Sequence, residues 1–286
     1  MTWSSPGPAW LFCPADRPER FAKAAARADV VILDLEDGVA PADKAAAREA
    51  LISTPLDPAT TVVRINPQGS ADWSADLAAL DRTDYQIVML PKCEGPQQIA
   101  ALAPRLVIAL IESPLGAINS YVALGANNAV GAMWGAEDLV AALGGNSSRF
   151  NYGGYRDVAQ HVRSQTLLAA KAQGVFALDS VFLDIGDLAG VRDEADDAVA
   201  VGFDGKVAIH PTQVGVIREA YAPAETEIDW AGRVLAAAET NRGVFSFEGH
   251  MVDAPVIQHA RRILARVREG DVRRADQSLS PGALDA

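Results

Sequence analysis

Apolar residues recur along the chain in eight short runs, and most of these runs are continuous rather than alternating. Continuous apolar runs are typical of strands that are buried on both faces of a parallel sheet. The predicted strands are residues 10–13, 30–34, 61–65, 86–90, 107–111, 129–135, 178–183 and 206–209. Between them lie alanine-rich amphipathic segments that predict helices, among them residues 17–27, 42–51, 71–80 and 155–173.

Strands that alternate with helices in this way predict an α/β fold, a (β/α)8 TIM barrel with a C-terminal helical extension. The chain has 286 residues, which is enough for one barrel of about 250 residues and an additional segment. An open doubly wound sheet is the alternative. However, no predicted strand is followed by Gly-x-Gly-x-x-Gly, and the chain has no Gly-x-x-x-x-Gly-Lys-Ser/Thr phosphate loop.

The barrel is expected to occupy residues 1–222 as the catalytic domain. Residues 222–226 indicate a break, and residues 223–286 then form an extension with predicted helices at 228–241 and 256–268. A segment of this length buries little apolar surface by itself. We therefore expect the extension to pack on the barrel or, as a lid, on a neighbouring subunit.

Charge and composition narrow the possible partners. The formal net charge is −12 at pH 7, and the chain has no run of basic residues, which argues against a nucleic-acid surface. No stretch of about 18 residues is both apolar and uncharged, and the first residues do not resemble a signal peptide. We expect a cytoplasmic protein that does not bind membranes. Cys13 and Cys93 are too few for a disulfide framework and lack zinc-ligand spacing.

Candidate functional side chains follow from the barrel prediction, because the carboxyl ends of barrel strands converge on one mouth where active sites lie. The charged or metal-binding side chains at or just after predicted strand ends are Asp34, Glu36, Asp37, Arg64, Lys92, Glu112, Asp138, Asp184 and His210. We interpret Lys92 as a structural partner of mouth carboxylates. His210 fits a packed hydrogen-bonding residue better than a general base.

Glu112 and Asp138 follow successive predicted strands and should therefore lie close together. Two neighbouring carboxylates repel each other unless a positive charge lies between them. Magnesium accepts one or two carboxylates and leaves its other positions to water and substrate, so the pair is a candidate Mg²⁺ site. The alternative is that Asp138 caps a helix and that Glu112 pairs with a lysine or arginine.

Arg64 ends an apolar strand and should point toward the same carboxylate-rich mouth. A guanidinium can hold a substrate carboxylate through two parallel hydrogen bonds, which lysine cannot do. Together with Glu112, Arg64 is therefore expected to face the substrate. A structural ion pair between Arg64 and Glu36 or Asp37 is the competing interpretation, and the sequence does not separate the two.

Several motifs resemble the citrate lyase β-subunit-like proteins of the HpcH/HpaI aldolase superfamily. They are Leu-Phe-Cys-Pro-Ala-Asp-Arg-Pro-Glu-Arg at 11–20, Val-Val-Ile-Leu-Asp-Leu-Glu-Asp-Gly-Val at 30–39, Val-Met-Leu-Pro-Lys at 88–92, Ala-Leu-Ile-Glu-Ser at 109–113, Gly-Ala-Glu-Asp-Leu at 135–139, Gly-Phe-Asp-Gly-Lys at 202–206 and Ile-His-Pro-Thr-Gln at 209–213. The resemblance covers roughly residues 9–268.

The resemblance implies a magnesium-dependent carbon–carbon lyase that acts on a β-hydroxyacyl thioester, carried by coenzyme A or by an acyl carrier, and that releases or consumes a keto-acid. It implies that Glu112 and Asp138 bind Mg²⁺ and that Arg64 holds the keto-acid carboxylate. The run Met251-Val252-Asp253-Ala254-Pro255 resembles a stretch that relatives place in a neighbouring subunit's site. Asp253 is thus the implied acid/base, in a homotrimer or hexamer.

Three alternatives share this sequence pattern. A thioesterase would use the same metal site and release a free thiol without a keto-acid. A citrate lyase β subunit would act on a citryl-acyl carrier and need carrier and transferase partners. A non-catalytic barrel would only bind a metabolite, although the presence of Arg64 and of the carboxylate pair argues against this option.

Overall fold

The computed structural model describes residues 3, 5–241 and 243–279. It divides into two compact units, Met1–Ile217 and Arg218–Ala286. Within the described residues, no helix is both long enough and apolar enough to cross a membrane.

The first unit is a closed barrel of eight parallel strands in sequential order, which confirms the predicted TIM barrel. Each strand pairs with its sequence neighbours, and β1 also pairs with β8 to close the sheet. The strands are β1 Ala9–Pro14, β2 Val30–Asp34, β3 Thr61–Arg64, β4 Ile87–Leu90, β5 Leu106–Ile111, β6 Ala129–Trp134, β7 Phe176–Asp179 and β8 Gly205–Ala208.

Helices alternate with these strands. They are α1 Phe21–Ala25, α2 Lys44–Ser53, α3 Trp73–Leu80, α4 Pro96–Ala100, α5 Pro114–Ala123, α6 Ala136–Ala142, α7 Asp157–Gln173, α8 Leu188–Val201 and α9 Pro211–Tyr221. Local signals set several of their ends. Ser113 caps α5 by accepting a hydrogen bond from the Gly116 amide. Gly174 ends α7 in the left-handed conformation, which favours glycine.

The barrel core consists of alternate strand residues, because side chains two positions apart lie on the same face of a strand. Trp10, Ile32, Met89 and Leu110 belong to one buried cluster of this kind. Trp10 also stacks on Phe176, with ring centroids 5.7 Å apart. The continuous apolar runs are explained by burial of both faces, one in the barrel interior and one beneath the helices.

The seventh strand differs from its prediction. It ends at Asp179 rather than at residue 183, so the prediction that Asp184 lies at a strand end is wrong. The apolar residues Val181 and Leu183 follow the strand and line a cavity. Because they are apolar for this reason, the predicted strand extended beyond its actual end. Asp184 is exposed in a loop, where its carboxylate accepts a hydrogen bond from the Gly186 amide at 3.0 Å.

Asp179 is the centre of a buried ionic cluster beneath the carboxyl end of β7. Its carboxylate lies 3.0 Å from the Lys206 ammonium, directly across the β7–β8 pairing, and 2.9 Å from Arg163 Nε. Trp134 Nε1 donates to it at 2.8 Å. Burial opposes ionisation, but Lys206 and Arg163 together hold the pKa of Asp179 below its usual value. The cluster joins β6, β7 and β8.

The second unit contains α10 Glu225–Thr240, a hairpin of β9 Phe245–Phe247 and β10 His250–Val252, and α11 Ala254–Leu279. The predicted helices are present, but α11 continues well beyond residue 268. Glu248 and Gly249 both have positive φ, as the tight hairpin turn requires. Ala231, Val234, Val252, Ala260 and Ile263 form a small buried cluster within this unit.

Candidate functional site

The barrel mouth contains a small cavity of about 90 Å³ between the ends of several strands. Arg64, Glu112 and Asp138 all line this cavity, so residues far apart in the sequence meet where the barrel prediction placed them. Glu137 adds a further carboxylate to the lining. The apolar part of the wall is formed by Phe12, Leu110, Met133, Val181 and Leu183.

Glu112 follows β5 and is almost completely buried, with 3% of its surface exposed. The Lys92 amide donates to Glu112 Oε1 at 3.0 Å. Gly135 lies against the other side of the carboxylate, where a Cβ would fall 2.7 Å from Glu112 Oε2, so any larger residue would force the buried Glu112 side chain to shift. Burial, and then the negative charges of Asp138 and Glu36, raise the pKa of Glu112 to about 8.

Asp138 lies in the first turn of α6, immediately beyond β6. Gly135 occupies the N-cap position, and no side chain caps the helix, so Asp138 does not serve as the cap. Its carboxylate is partly exposed and lies 3.5 Å from the Lys92 ammonium. Asp138 is therefore an oxygen donor whose charge is available at the mouth.

Arg64 ends β3 and is held by two carboxylates. Its Nε and Nη2 donate to the two oxygens of Asp34 at 2.7 and 2.6 Å, and Nη1 lies 3.0 Å from Glu36 Oε2. The guanidinium also lies over the Phe12 ring, 4.6 Å from its centroid. The structural ion pair to Glu36 is therefore present, together with one to Asp34. These contacts fix the orientation of the guanidinium and leave part of its donor fork for another anion.

Lys92 links the remaining carboxylates of the mouth. Its ammonium lies 2.6 Å from Glu36 Oε1 and 3.7 Å from Asp37 Oδ2, in agreement with its interpretation as a structural partner. Burial raises the pKa of Glu36 despite the nearby Arg64 and Lys92 charges. The Lys92 backbone has φ of 51°, an uncommon conformation for a residue with a side chain.

Sequence reasoning missed the backbone contributions to this site. The left-handed conformation of Lys92 accompanies the hydrogen bond from its amide to Glu112, and no local pattern predicts that conformation for lysine. The glycine requirement at position 135 was also missed. A glycine directly between a buried strand and a helix is a signal that could have indicated a close approach.

The donor set fits magnesium. Glu112 and Asp138 supply hard carboxylate oxygens to one cavity, and the charge of Asp138 contributes to the raised pKa of Glu112, so a cation between them would relieve this repulsion. Within the described part of the chain, no group of three or more His, Cys, Asp or Glu side chains is arranged to hold a metal. A site with two carboxylates suits an ion that keeps water and substrate among its ligands.

Two other predicted residues have local roles. His210 Nδ1 lies 2.8 Å from Thr212 Oγ1, as expected for a packed hydrogen-bonding residue. Asp253 lies in the second unit, directly before α11, where its Oδ1 accepts a hydrogen bond from the Val256 amide at 3.3 Å. This contact starts the helix and leaves the second carboxylate oxygen, Oδ2, without a recorded partner among the described residues.

Comparison with known proteins identifies the relatives of this chain. Residues 9–211 match the family HpcH/HpaI aldolase/citrate lyase. The citrate lyase subunit beta-like protein of Mycobacterium tuberculosis is 60% identical over 269 residues, which cover 94% of this chain and 98% of that protein. The mitochondrial citramalyl-CoA lyase of Homo sapiens is 30% identical over 290 residues, covering 90% and 84% of the two chains.

A solved structure extends the comparison to the fold. The crystal structure of the M. tuberculosis protein CitE in complex with magnesium, acetoacetate and coenzyme A superimposes with a TM-score of 0.89 at 61% identity. The superposition covers 92% of this chain and 98% of the other.

Replacing Glu112 with glutamine should stabilise the metal-free protein at pH 8. The folded-state pKa of Glu112, about 8, exceeds the ordinary value of about 4.3, so ionisation costs stability as the pH rises between these values. In urea unfolding with a chelator, the free energy of unfolding of Glu112→Gln should exceed that of the wild type by more than about 1.4 kcal/mol, the equivalent of one pKa unit. The difference should shrink at pH 5.

The matched control is Glu49→Gln, since Glu49 is an exposed carboxylate on α2. It should change the free energy of unfolding little at either pH. Equal stability of Glu112→Gln and the wild type at pH 8 would contradict the assignment of a raised pKa to Glu112.

Proposed function

The chain belongs to the HpcH/HpaI aldolase/citrate lyase family, and on this premise we propose that it is a magnesium-dependent carbon–carbon lyase. It cleaves or forms a short β-hydroxyacyl-CoA, with a small keto-acid and an acetyl-type thioester as the other reaction partners. The single observation that carries the proposal is the convergence of Arg64, Glu112 and Asp138 on one small cavity. The ligands of the M. tuberculosis structure, a keto-acid and coenzyme A beside magnesium, support the same chemistry.

The small size and mixed lining of the cavity suit a keto-acid. Arg64 is the cationic side chain of the lining, and its orientation is fixed by Asp34 and Glu36, so it can hold a carboxylate without first being ordered. The apolar residues Val181 and Leu183 of the same wall exclude water from the carbonyl carbon. Glu112 and Asp138 would hold Mg²⁺, which when bound polarises the carbonyl oxygen as a Lewis acid.

The proton must be handled by another group, because Asp34 and Glu36 are paired with Arg64 and Lys92, and Glu112 and Asp138 would hold Mg²⁺. We assign this role to Asp253. In the synthetic direction the Asp253 carboxylate takes a proton from the α-carbon of the acetyl thioester, the resulting enolate carbon attacks the keto carbon, and protonated Asp253 returns the proton to the new alkoxide. In the cleavage direction the Asp253 carboxylate takes the proton of the β-hydroxyl, the carbon–carbon bond breaks to give the keto carbonyl and the enolate, and protonated Asp253 returns the proton to the enolate carbon.

We further propose that Asp253 serves the site of a neighbouring copy, in a homotrimer or hexamer. Asp253 lies in a second compact unit between a short hairpin and α11. Its neighbour Met251 is 66% exposed, on the opposite face of β10 from the buried Val252. An exposed apolar residue next to the assigned acid/base suits a segment that covers another surface. Such a cover would protect the enolate from water.

Wild-type protein incubated with Mg²⁺ and a panel of short β-hydroxyacyl-CoA thioesters, citramalyl-CoA included, should release acetyl-CoA and a keto-acid in equal amounts, as followed by mass spectrometry. Glu112→Gln and Asp138→Asn should abolish turnover and weaken Mg²⁺ binding in calorimetry. Asp184→Asn removes an exposed carboxylate from the loop after β7 and should keep both properties. Free coenzyme A without a keto-acid would identify a thioesterase instead, and a metal-ligand variant with wild-type turnover would refute the metal assignment.

Arg64→Lys should weaken keto-acid binding, because lysine keeps the charge but loses the planar fork. A hydrogen bond to a charged group is worth about 1.5–3 kcal/mol, which corresponds to roughly a tenfold to hundredfold rise in Kd. The matched control is Arg48→Lys, because Arg48 also joins two carboxylates, Asp72 and Asp76, but lies outside the cavity. Calorimetric titration with pyruvate and acetoacetate should separate the two variants, and equal affinities would exclude Arg64 as the anchor.

Complementation tests the shared site. Asp253→Ala and Glu112→Ala are each expected to be inactive. After subunit exchange in a mixture of the two, some sites combine an intact metal pair with an intact Asp253, so partial activity should return. Exchange is verified with differently tagged subunits, and mixing two samples of Asp253→Ala is the control. Verified exchange without recovery, or an active Asp253→Ala protein, would rule out a contribution from a neighbouring copy.

A further inference from the structure

Glu137 is a carboxylate of the mouth that the proposed reaction does not use. It lines the same cavity as Asp138 and directly precedes it in the first turn of α6. Although Glu137 is exposed, its side chain is held, because Ser148 Oγ donates to its Oε1 at 2.5 Å. Its other oxygen, Oε2, makes no hydrogen bond with any described residue. One oxygen is therefore fixed by the protein, and the other is available as an acceptor.

Ser148 is placed for this contact by the loop that connects α6 to α7, residues 144–156. Ser148 is only 2% exposed, so its hydroxyl has little access to water and is committed to Glu137. The Arg156 amide donates to the Ser148 carbonyl at 2.8 Å, and Arg149 and Tyr155 form the adjacent antiparallel bridge. The two arms of the loop are thus paired with each other where Ser148 lies.

Arg149 attaches this paired loop to the barrel. Its Nη1 donates to Glu194 Oε1 on α8 at 2.5 Å and to the Gly153 carbonyl at 2.8 Å. The guanidinium also lies over the Tyr155 ring, 3.8 Å from its centroid. The turn of the loop, its second arm and α8 therefore all contact one side chain.

Glu194 is fixed in turn by the buried ionic cluster around Asp179. Its Oε2 lies 3.2 Å from the ammonium of Lys206, which is fully buried and also contacts Asp179. The pair of Arg149 with Glu194 is itself largely buried, with 22% and 19% of the two side chains exposed. Such pairs contribute little net stability, because desolvation offsets their attraction. This pair instead gives Arg149 a fixed direction.

The contacts that run from Glu194 through Arg149 to Ser148 are called here the loop anchor. We propose that the loop anchor holds Glu137 as an outer partner of the magnesium ion, where it accepts hydrogen bonds from water ligands of the ion. Mg²⁺ keeps several waters when carboxylates bind it, and outer partners of this kind tune metal affinity. Glu137 suits the role because it lies beside Asp138 in the cavity wall. The inference rests on the proposed function for the position of the ion.

Glu137 and the residues of the loop anchor are thus positioning residues, and calorimetric titration with MgCl₂ in the absence of substrate tests them. Glu137→Gln and Ser148→Ala should each bind Mg²⁺ about tenfold more weakly than the wild type, the lower end of the effect of losing an outer partner. Arg149→Gln should also bind it more weakly, because Ser148 is then no longer held. Ser148→Ala leaves every ion pair of the loop intact and decides the question if Arg149→Gln does not fold.

Two matched controls should bind Mg²⁺ as the wild type does. Glu94→Gln removes another glutamate that a serine holds, since Ser113 Oγ donates to Glu94 Oε1 at 2.8 Å, but Glu94 does not line the cavity. Arg82→Gln removes an arginine whose ion pair with Glu49 is exposed.

A double variant separates positioning from general damage. If Ser148 acts through Glu137, the protein with both Ser148→Ala and Glu137→Gln should bind Mg²⁺ no more weakly than Glu137→Gln alone. Independent effects would instead multiply to about a hundredfold loss, because free energies of uncoupled sites add. That result would overturn the inference.

The metal-ligand variant Glu112→Gln distinguishes a failure of this inference from a failure of the proposed function. If Glu112→Gln loses Mg²⁺ while Glu137→Gln and Ser148→Ala bind it as the wild type does, the metal pair stands and the role of the loop anchor is overturned. If Glu112→Gln binds Mg²⁺ as tightly as the wild type, both fail. Weaker binding by Glu137→Gln and Ser148→Ala, with unchanged controls, supports the inference even if no thioester is cleaved.

Discussion

Confinement of several negative charges within one barrel mouth is the constraint on which the site depends. Asp34, Glu36 and Glu112 are nearly inaccessible to water, and among the described residues two cations, Arg64 and Lys92, contact this group of carboxylates directly. Arg64 donates to both oxygens of Asp34 and forms an ion pair with one oxygen of Glu36, and Lys92 donates to the other Glu36 oxygen. Glu112 is left with a backbone hydrogen bond and a strongly raised pKa. The mouth therefore has more carboxylates than cations, and a further cation would be most stabilising between Glu112 and Asp138.

The same electrostatic reasoning separates a structural carboxylate from a ligand-binding one. On the β6–β8 side of the barrel, Asp179 is as buried as Glu112 but is fully paired, with Lys206 and Arg163 as its partners. A buried carboxylate with such partners is a structural element, whereas one without them is available for a ligand. Trp134 lies between the two carboxylates in the structure. Its Nε1 donates to Asp179, and it immediately precedes Gly135, which lies close to the Glu112 carboxylate.

The net charge of the whole molecule gives importance to the position of Arg64. A protein with a formal net charge of −12 does not attract anions through its overall field, so an anionic substrate requires an arginine at a defined point. Arg64 is one such point inside the cavity, where two carboxylates fix its direction.

The sequence by itself determined the barrel, because continuous apolar runs and amphipathic helices are local patterns that follow directly from burial. It also placed Arg64 and Glu112 at strand ends and Asp138 just beyond one. Only the tertiary structure decided that β7 ends at Asp179, that Asp34 clamps Arg64, and that Lys92 adopts a left-handed backbone. Ion pairs form between residues far apart in the chain, and a strained backbone is stabilised by its surroundings, so neither leaves a local pattern to read.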